Sequence, residues 1–174
     1  MEISNYNIKL IRVNETHLEL LRGWRNSDFV KSKMIFSEHI TPEMQKKWFE
    51  SINNGQNYYF LAVSNNVNVG VMHVKNIENN IGEGGIYLAS ADFENTDIVA
   101  RMVLCFNDFV FDDLKLDYIY SQVKHDNQKA ISSSLAQGCV KDEEKSTQEV
   151  VAFILKPENY RLKTKKIKQI LNKL

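Results

Sequence analysis

His73 and Glu83 are the side chains whose type best suits proton transfer near neutral pH. His73 lies in Val71-Met72-His73-Val74-Lys75, an alternation that puts it on one strand face with Val71 and Lys75. An imidazole there is either a base or an ordinary packed, hydrogen-bonded residue. Glu83 sits in Gly82-Glu83-Gly84-Gly85-Ile86-Tyr87, as a general base or as a solvated hairpin residue among glycines. A third unit runs from Asp117 to Cys139: a strand at Tyr118 to Val123, then His125-Asp126-Asn127, then a helix to about Gln137 that Gly138 ends. Asn127 offers a carboxamide at the strand-to-helix junction, and it also fits an ordinary helix cap. Ser134, within Ser132-Ser133-Ser134, places a hydroxyl on that helix or simply contributes to its polar face. The four histidines and Cys105 and Cys139 lack metal-ligand spacing, so no metal is expected.

The elements that must hold these residues are set by periodicity. Ile8 to Val13 alternates as a first strand. Thr16 is a cap for a helix with Leu18, Leu21 and Trp24 at helical spacing, loosening at Arg25-Asn26-Ser27-Asp28. Thr41-Pro42-Glu43-Met44 starts a second helix with Met44, Trp48 and Ile52 on one face, stopped at Asn53-Asn54-Gly55. Strands are expected at Tyr58 to Ser64, Asn68 to Asn76 and roughly Gly84 to Ala89, with Asn65-Asn66 turning between the first two. Thr96 caps a long helix to about Leu114, buried through Ile98, Met102, Cys105, Phe106 and Phe109. Lys141 to Thr147 is a charged loop, Glu149 to Leu155 a last strand, and Pro157 ends it. From Arg161 to Leu174 the chain carries six Lys/Arg and no acid, with Ile167, Ile170, Leu171 and Leu174 on one helix face.

Composition bounds the function classes. At 174 residues the chain suits one domain, and a net charge of zero gives no support to nucleic-acid binding. Met1 to Asn7 lacks the basic start and apolar run of a signal peptide, and no apolar stretch reaches the ~20 residues of a membrane span. The expectation is a cytoplasmic protein with reduced thiols and no stable membrane insertion. Its basic tail fits a solvated appendage, a homodimer mate or an anionic surface.

The spacing of Asn127, Ala130 and Gly138 resembles the cofactor-side closing unit of the GNAT acyltransferases, and the element order over about 8 to 155 is similar to the GNAT fold. The resemblance implies an α/β (α+β) class, with a mixed central sheet of about six to seven strands flanked by helices. It also implies one GNAT-like acyltransferase domain over 1–157 and a basic helix over 158–174. Leu21-Arg22-Gly23-Trp24-Arg25-Asn26, Met34 and Thr41 to Trp48 are similar to the substrate entrance of ribosomal-protein and amino-sugar acetyltransferases. Tyr59-Phe60-Leu61, Val69-Gly70-Val71 and Gly85-Ile86-Tyr87 look most like the pseudaminic-acid-pathway acetyltransferases, which acetylate the 4-amino group of a UDP-linked amino sugar.

The same resemblance implies a co-substrate, acetyl-CoA or another acyl-CoA, lying in a splayed gap between two central strands. By family likeness Leu88, Ala89, Ser90, Asn95, Thr96, Asp97, Asn127 and Ala130 hold it, with its diphosphate on the first amides of the helix at 97. The likeness also makes Glu83, through water, the first choice of base and His73 the second. Ser134 occupies the position, seven after Asn127, where many relatives carry the tyrosine that protonates the leaving thiolate. On the acceptor side the resemblance implies that Trp24, Met34, Phe36 and Trp48 form an apolar wall for a deoxysugar methyl. Arg25 and Tyr87 then contact the nucleotide of a small-molecule nucleotide-sugar acceptor. The chain departs from the family at Ser90 to Asp97, which has no glycine and three acids, each repelling a diphosphate by roughly a kcal/mol if close. The first reading is therefore an N-acyltransferase acting on a nucleotide-linked amino sugar in surface glycan biosynthesis. Alternatives are a protein N-terminal or ribosomal-protein acetyltransferase, and a degenerate GNAT binding module.

Overall fold

The protein is described by a computed structural model over residues 1–171. Eight strands form one mixed sheet: β1 (Glu2–Asn5), β2 (Ile8–Arg12), β3 (Tyr58–Ser64), β4 (Val67–Glu78), β5 (Ile81–Leu88), β6 (Tyr118–Lys124), β7 (Val140–Asp142) and β8 (Val150–Leu155). Their order is β1-β2-β3-β4-β5-β6-β8-β7, and every adjacent pair is antiparallel except β5 and β6. Three hairpins close on two-residue turns, Tyr6-Asn7, Asn65-Asn66 and Asn79-Asn80, all with left-handed φ between 48° and 63°. Asparagine tolerates that region better than other residues with a Cβ, and such turns match the strand twist.

Helices cover both faces: α1 (Leu18–Asn26), α2 (Asp28–Lys31) and α3 (Pro42–Ile52) on one side, α4 (Asp97–Asp108) and α6 (Pro157–Leu171) on the other, with α5 (Gln128–Gln137) after β6. The larger core joins Ile8, Leu10, Phe60, Val69, Met72 and Val74 of the sheet to Met102 to Phe106 of α4 and Tyr160 of α6. Phe60 meets Phe106 and Phe109 edge-on at 6.3 and 5.3 Å. Each fully buried side chain of this size contributes roughly 1.5–3 kcal/mol. The smaller core packs Val13, Leu21 and Phe49 on Tyr59, Leu61 and Val71.

The parallel pair is the feature that makes a site. β5 and β6 are in register only at Ile81/Tyr118, Gly82/Ile119 and Glu83/Tyr120, while β5 continues to Leu88 and β6 to Lys124. Past Glu83 the two strands diverge and open a gap in the middle of the sheet.

Several expectations are corrected. The sheet has eight strands rather than six to seven, because β1 and β7 are short polar edge strands. β5 begins at Ile81, so Glu83 stands within a strand and the hairpin turn is Asn79-Asn80. Asn14, not Thr16, starts the first helical segment: its side chain accepts from the Thr16 and His17 amides, capping a 3-10 turn that leads into α1. The Arg25–Asp28 cluster leads directly into α2, which Ser27 caps. Thr96 precedes α4 but does not cap it, since its hydroxyl donates to the Phe93 carbonyl at 2.7 Å. The α-helix ends at Asp108 and continues as a wider π-turn over Phe109–Asp113. On α6 the inward face is Tyr160, Thr164, Ile167 and Leu171, whereas Ile170 is exposed; the expected Leu174 lies outside the described residues. The Tyr160 hydroxyl donates to Asp108 at 2.7 Å and Lys168 pairs with the same carboxylate.

Candidate active site

A cavity of about 1220 Å³ begins at the β5–β6 gap and runs through the sheet, so residues from both faces line it. On the α1–α3 side its floor is a row of cross-strand neighbours. Tyr59 of β3, His73 of β4 and Gly85 of β5 stand side by side, with Lys75/Glu83 and Val71/Tyr87 as flanking rows. The His73 ring stacks on Tyr59 at 4.7 Å, and Trp48 meets Tyr59 edge-on at 5.1 Å. Gly85 lets the ring lie close over β5: a Cβ there would stand 2.4 Å from the His73 ring and force it to shift.

This setting decides the charge state of His73. The residue is half-buried, but its Nδ1 is shut from solvent and has no hydrogen-bond partner among the described residues. Burial, then the positive charges of Lys75 and Arg25, lower its pKa to about 3. It is a neutral imidazole at physiological pH and a weak base. Burial raises Tyr59 to about 12 and Tyr87 further still, so both are neutral phenols. Glu83 is ion-paired with Lys75 at 3.0 Å, on the cavity wall.

Arg25, Met34, Phe36, Trp48 and Tyr87 all line this half of the cavity. One Arg25 terminal nitrogen donates to the Phe36 carbonyl at 3.2 Å, and its guanidinium carbon stands 5.9 Å from the centre of the Tyr87 ring. Its Nε is buried without a partner among the described residues. Trp24 is the exception: it does not line the cavity but packs, partly buried, on the smaller core. It is one residue before Arg25 on α1, and a helix turns adjacent residues to different faces.

The other half of the cavity lies between α4 and α5. Leu88, Asn95, Thr96, Asn127, Ala130 and Ser134 line it. Ala89, Ser90 and Asp97 do not. The Ala89 amide donates to Val69 at 2.9 Å, Ser90 starts a 3-10 turn, and Asp97 pairs with Arg101 at 2.7 Å. The Asn127 carboxamide accepts from the Ala130 amide at 3.2 Å, so it caps α5 while facing the cavity. Of the other two loop acids, Asp92 accepts from the Ser90 hydroxyl at 2.8 Å, and Glu94 is held by two lysines. Lys129 is at 2.6 Å and Lys33 completes the group; their hydrogen bonds, Lys129 first, lower the Glu94 pKa. The acids that looked repulsive in sequence are thus all partnered.

Lys33, Lys75 and Lys129 are among the lining residues that sequence reasoning left without a role. No local signal marks them: Lys33 and Glu94 are 61 positions apart, and Lys129 and Glu94 are 35 apart. Among the described residues no group of three or more His, Cys, Asp or Glu is arranged to hold a metal ion. None of the described helices is long and apolar enough to cross a membrane.

A mixed sheet split between two parallel strands, with a cavity through the split, is an arrangement for bringing two substrates together from opposite faces. Residues 7–139 match the family model of the acetyltransferase (GNAT) domain. The chain belongs to the GNAT acetyltransferases, enzymes that take an acyl group from acyl-CoA and pass it to an amine. Among solved structures it superimposes on apo FdhC, a nucleotide-linked sugar GNAT, with a TM-score of 0.81 at 19% identity, covering 98% of each chain. It matches spermidine N-acetyltransferase from Vibrio cholerae, in complex with CoA and spermine, with a TM-score of 0.79 at 16% identity, over 90% of this chain and 99% of that one. A GCN5-related N-acetyltransferase from Brucella melitensis gives a TM-score of 0.76 at 12% identity, over 98% of this chain and 85% of that one. At these identities the likeness is one of fold. Among curated proteins, none matches the chain.

The α4–α5 half suits an acyl-CoA. The first turn of α4 has no side-chain cap, which leaves amide donors and a helix dipole open to an anion. The diverging strands leave edge groups of β5 beyond Glu83 for an extended pantetheine arm.

Proposed function

We propose that this enzyme transfers the acetyl group of acetyl-CoA to the amino group of a nucleotide-linked amino-deoxy sugar. The observation that carries this reading is Arg25. Its Nε is buried and has no partner among the described residues, and its side chain lines a cavity half that also presents Lys75 and the Tyr87 ring. A guanidinium on the cavity wall beside an aromatic ring suits a diphosphate carrying a base. A polycationic acceptor fits poorly. Six Lys/Arg line the whole cavity (Arg25, Lys33, Lys75, Lys124, Lys129, Lys163), and its two acids, Glu83 and Glu94, are already ion-paired. The apolar rim of Met34, Phe36 and Trp48 suits a deoxysugar methyl.

In this reading the acceptor amine approaches the thioester at the strand gap. Glu83, on the cavity wall, takes the ammonium proton through water, because burial leaves the His73 imidazole, with a pKa of about 3, a weak base. His73 then serves as a neutral ring in the floor of the acceptor half, stacked on Tyr59. Ser134, on the thiolate side, supplies a weak hydroxyl donor to the leaving sulfur.

Acetyl-CoA turnover against UDP-linked amino sugars, free amino sugars, spermidine and N-terminal peptides tests the reading. The expected result is turnover of the nucleotide sugar, with Arg25→Ala raising its KM at least about tenfold while leaving a free amino sugar unaffected. Turnover of spermidine or peptide with none of the nucleotide sugar would overturn it.

A further inference from the structure

Lys33, Glu94 and Lys129 come from three separate segments: the turn after α2, the loop before α4, and the first turn of α5. They meet on the donor half of the cavity, and all three line it. The Glu94 side chain is 17% exposed, so one largely buried carboxylate holds two ammonium groups. Beside them, Thr96 turns its hydroxyl back to Phe93 and leaves the α4 start uncapped. Two cations and a helix dipole therefore converge on a single negative charge, so the locus remains electropositive. One carboxylate with two oxygens cannot satisfy both lysines and the helix amides. A diphosphate can, because it carries more charge and more acceptor oxygens over a longer span.

We propose that Lys33 and Lys129 are the cations that bind the diphosphate of acyl-CoA, and that Glu94 is an internal anion occupying them until the donor arrives. Binding is then an exchange: the lysines pass from carboxylate to diphosphate, and Glu94 swings to solvent. This accounts for an acidic, glycine-free loop at a position that must receive an anion. The inference rests on the donor being an acyl-CoA and is independent of the acceptor.

Calorimetric titration of the full-length protein with coenzyme A, and with pantetheine, which lacks the diphosphate, tests the exchange. Glu94→Gln removes the competing charge and is expected to tighten coenzyme A about threefold to tenfold, with pantetheine unchanged. Lys33→Met with Lys129→Met is expected to weaken coenzyme A at least about tenfold and to flatten the salt dependence of its affinity. If the double variant does not fold, Lys129→Met alone carries the test, because its side chain is 61% exposed; about threefold weakening is expected. Equal or weaker coenzyme A affinity in Glu94→Gln, or an equal loss of pantetheine in the lysine variants, would overturn the proposal. Absence of coenzyme A binding to the unaltered protein would overturn it as well, and a nucleotide-sugar titration would still report on the acceptor reading.

Discussion

Helices α4 and α5 wall the same groove but are anchored in opposite ways. α4 buries six consecutive residues, Met102 to Asn107, against the sheet and α6; α5 buries none, and its Leu135 is 44% exposed. α5 is held by its ends. Asn127 caps the start, Gly138 closes the finish at φ 100°, and Gln137 accepts from Asn107 of α4 at 3.2 Å. The contrast separates scaffold from site. One wall is part of the core that defines the fold, and the other stands away from it, leaving space for an extended ligand.

Substitutions that exchange these roles would break the contrast. The largest effect is expected for Phe106→Ala, which opens a void between α4 and Phe60 and should cost about 3–5 kcal/mol by chemical denaturation. Gly138→Ala is next. Its new Cβ would sit 2.7 Å from the Asn159 carbonyl in a left-handed backbone, so a loss of about 1–3 kcal/mol is expected, with faster amide exchange along α5 than along α4. Leu135→Ala, in the middle of the unanchored helix, should change stability by less than about 0.5 kcal/mol. A loss comparable to that of Phe106→Ala would show that α5 belongs to the core after all.

Acid pH sharpens the same comparison, because each half of the cavity holds one group shifted downward. His73 has a folded pKa of about 3 against an ordinary 6.5, so the unfolded chain binds the proton first. Stability is therefore lost progressively as pH falls from about 6.5 toward 3. Glu94 is lowered from 4.5 by its lysines, so its contribution is complete above pH 4.5 and is lost only below it. Thermal melts between pH 6.5 and 4.5 should thus report mainly on His73, and His73→Gln should flatten that stretch, with His17, also lowered by burial, supplying the remainder. A drop confined to pH below 4.5 in the unaltered protein would contradict the burial of the imidazole.

Most of the fold was legible because its signals are local. Apolar β3, Val-rich β4, the Asn65-Asn66 turn, the Thr41-Pro42 start of α3 and the Gly138 stop of α5 are each set by residues within a few positions of one another. The edge strands β1 and β7 were not legible. Each pairs on one side only and carries no apolar alternation, so Glu2–Asn5 showed no strand signal and Lys141-Asp142 read as part of a charged loop. At the site, Glu83, His73, Arg25, Tyr87 and Asn127, singled out largely by the family resemblance, all line the cavity, whereas Trp24 packs on the smaller core and Asp97 pairs with Arg101.

The residues themselves therefore determined most of the element order, the start of α3, the end of α5 and the family, since backbone propensities, caps and turns act over a few bonds. Two decisions belonged to the tertiary structure. His73 is neutral because burial beside Tyr59 and Gly85, brought alongside from neighbouring strands, and the nearby charges of Lys75 and Arg25 disfavour its protonation. The acidic loop before α4 is compatible with an anion because Lys33 and Lys129 arrive from 61 and 35 positions away. Desolvation and charge act through space rather than along the chain, so protonation state and anion affinity were settled only when distant segments came together.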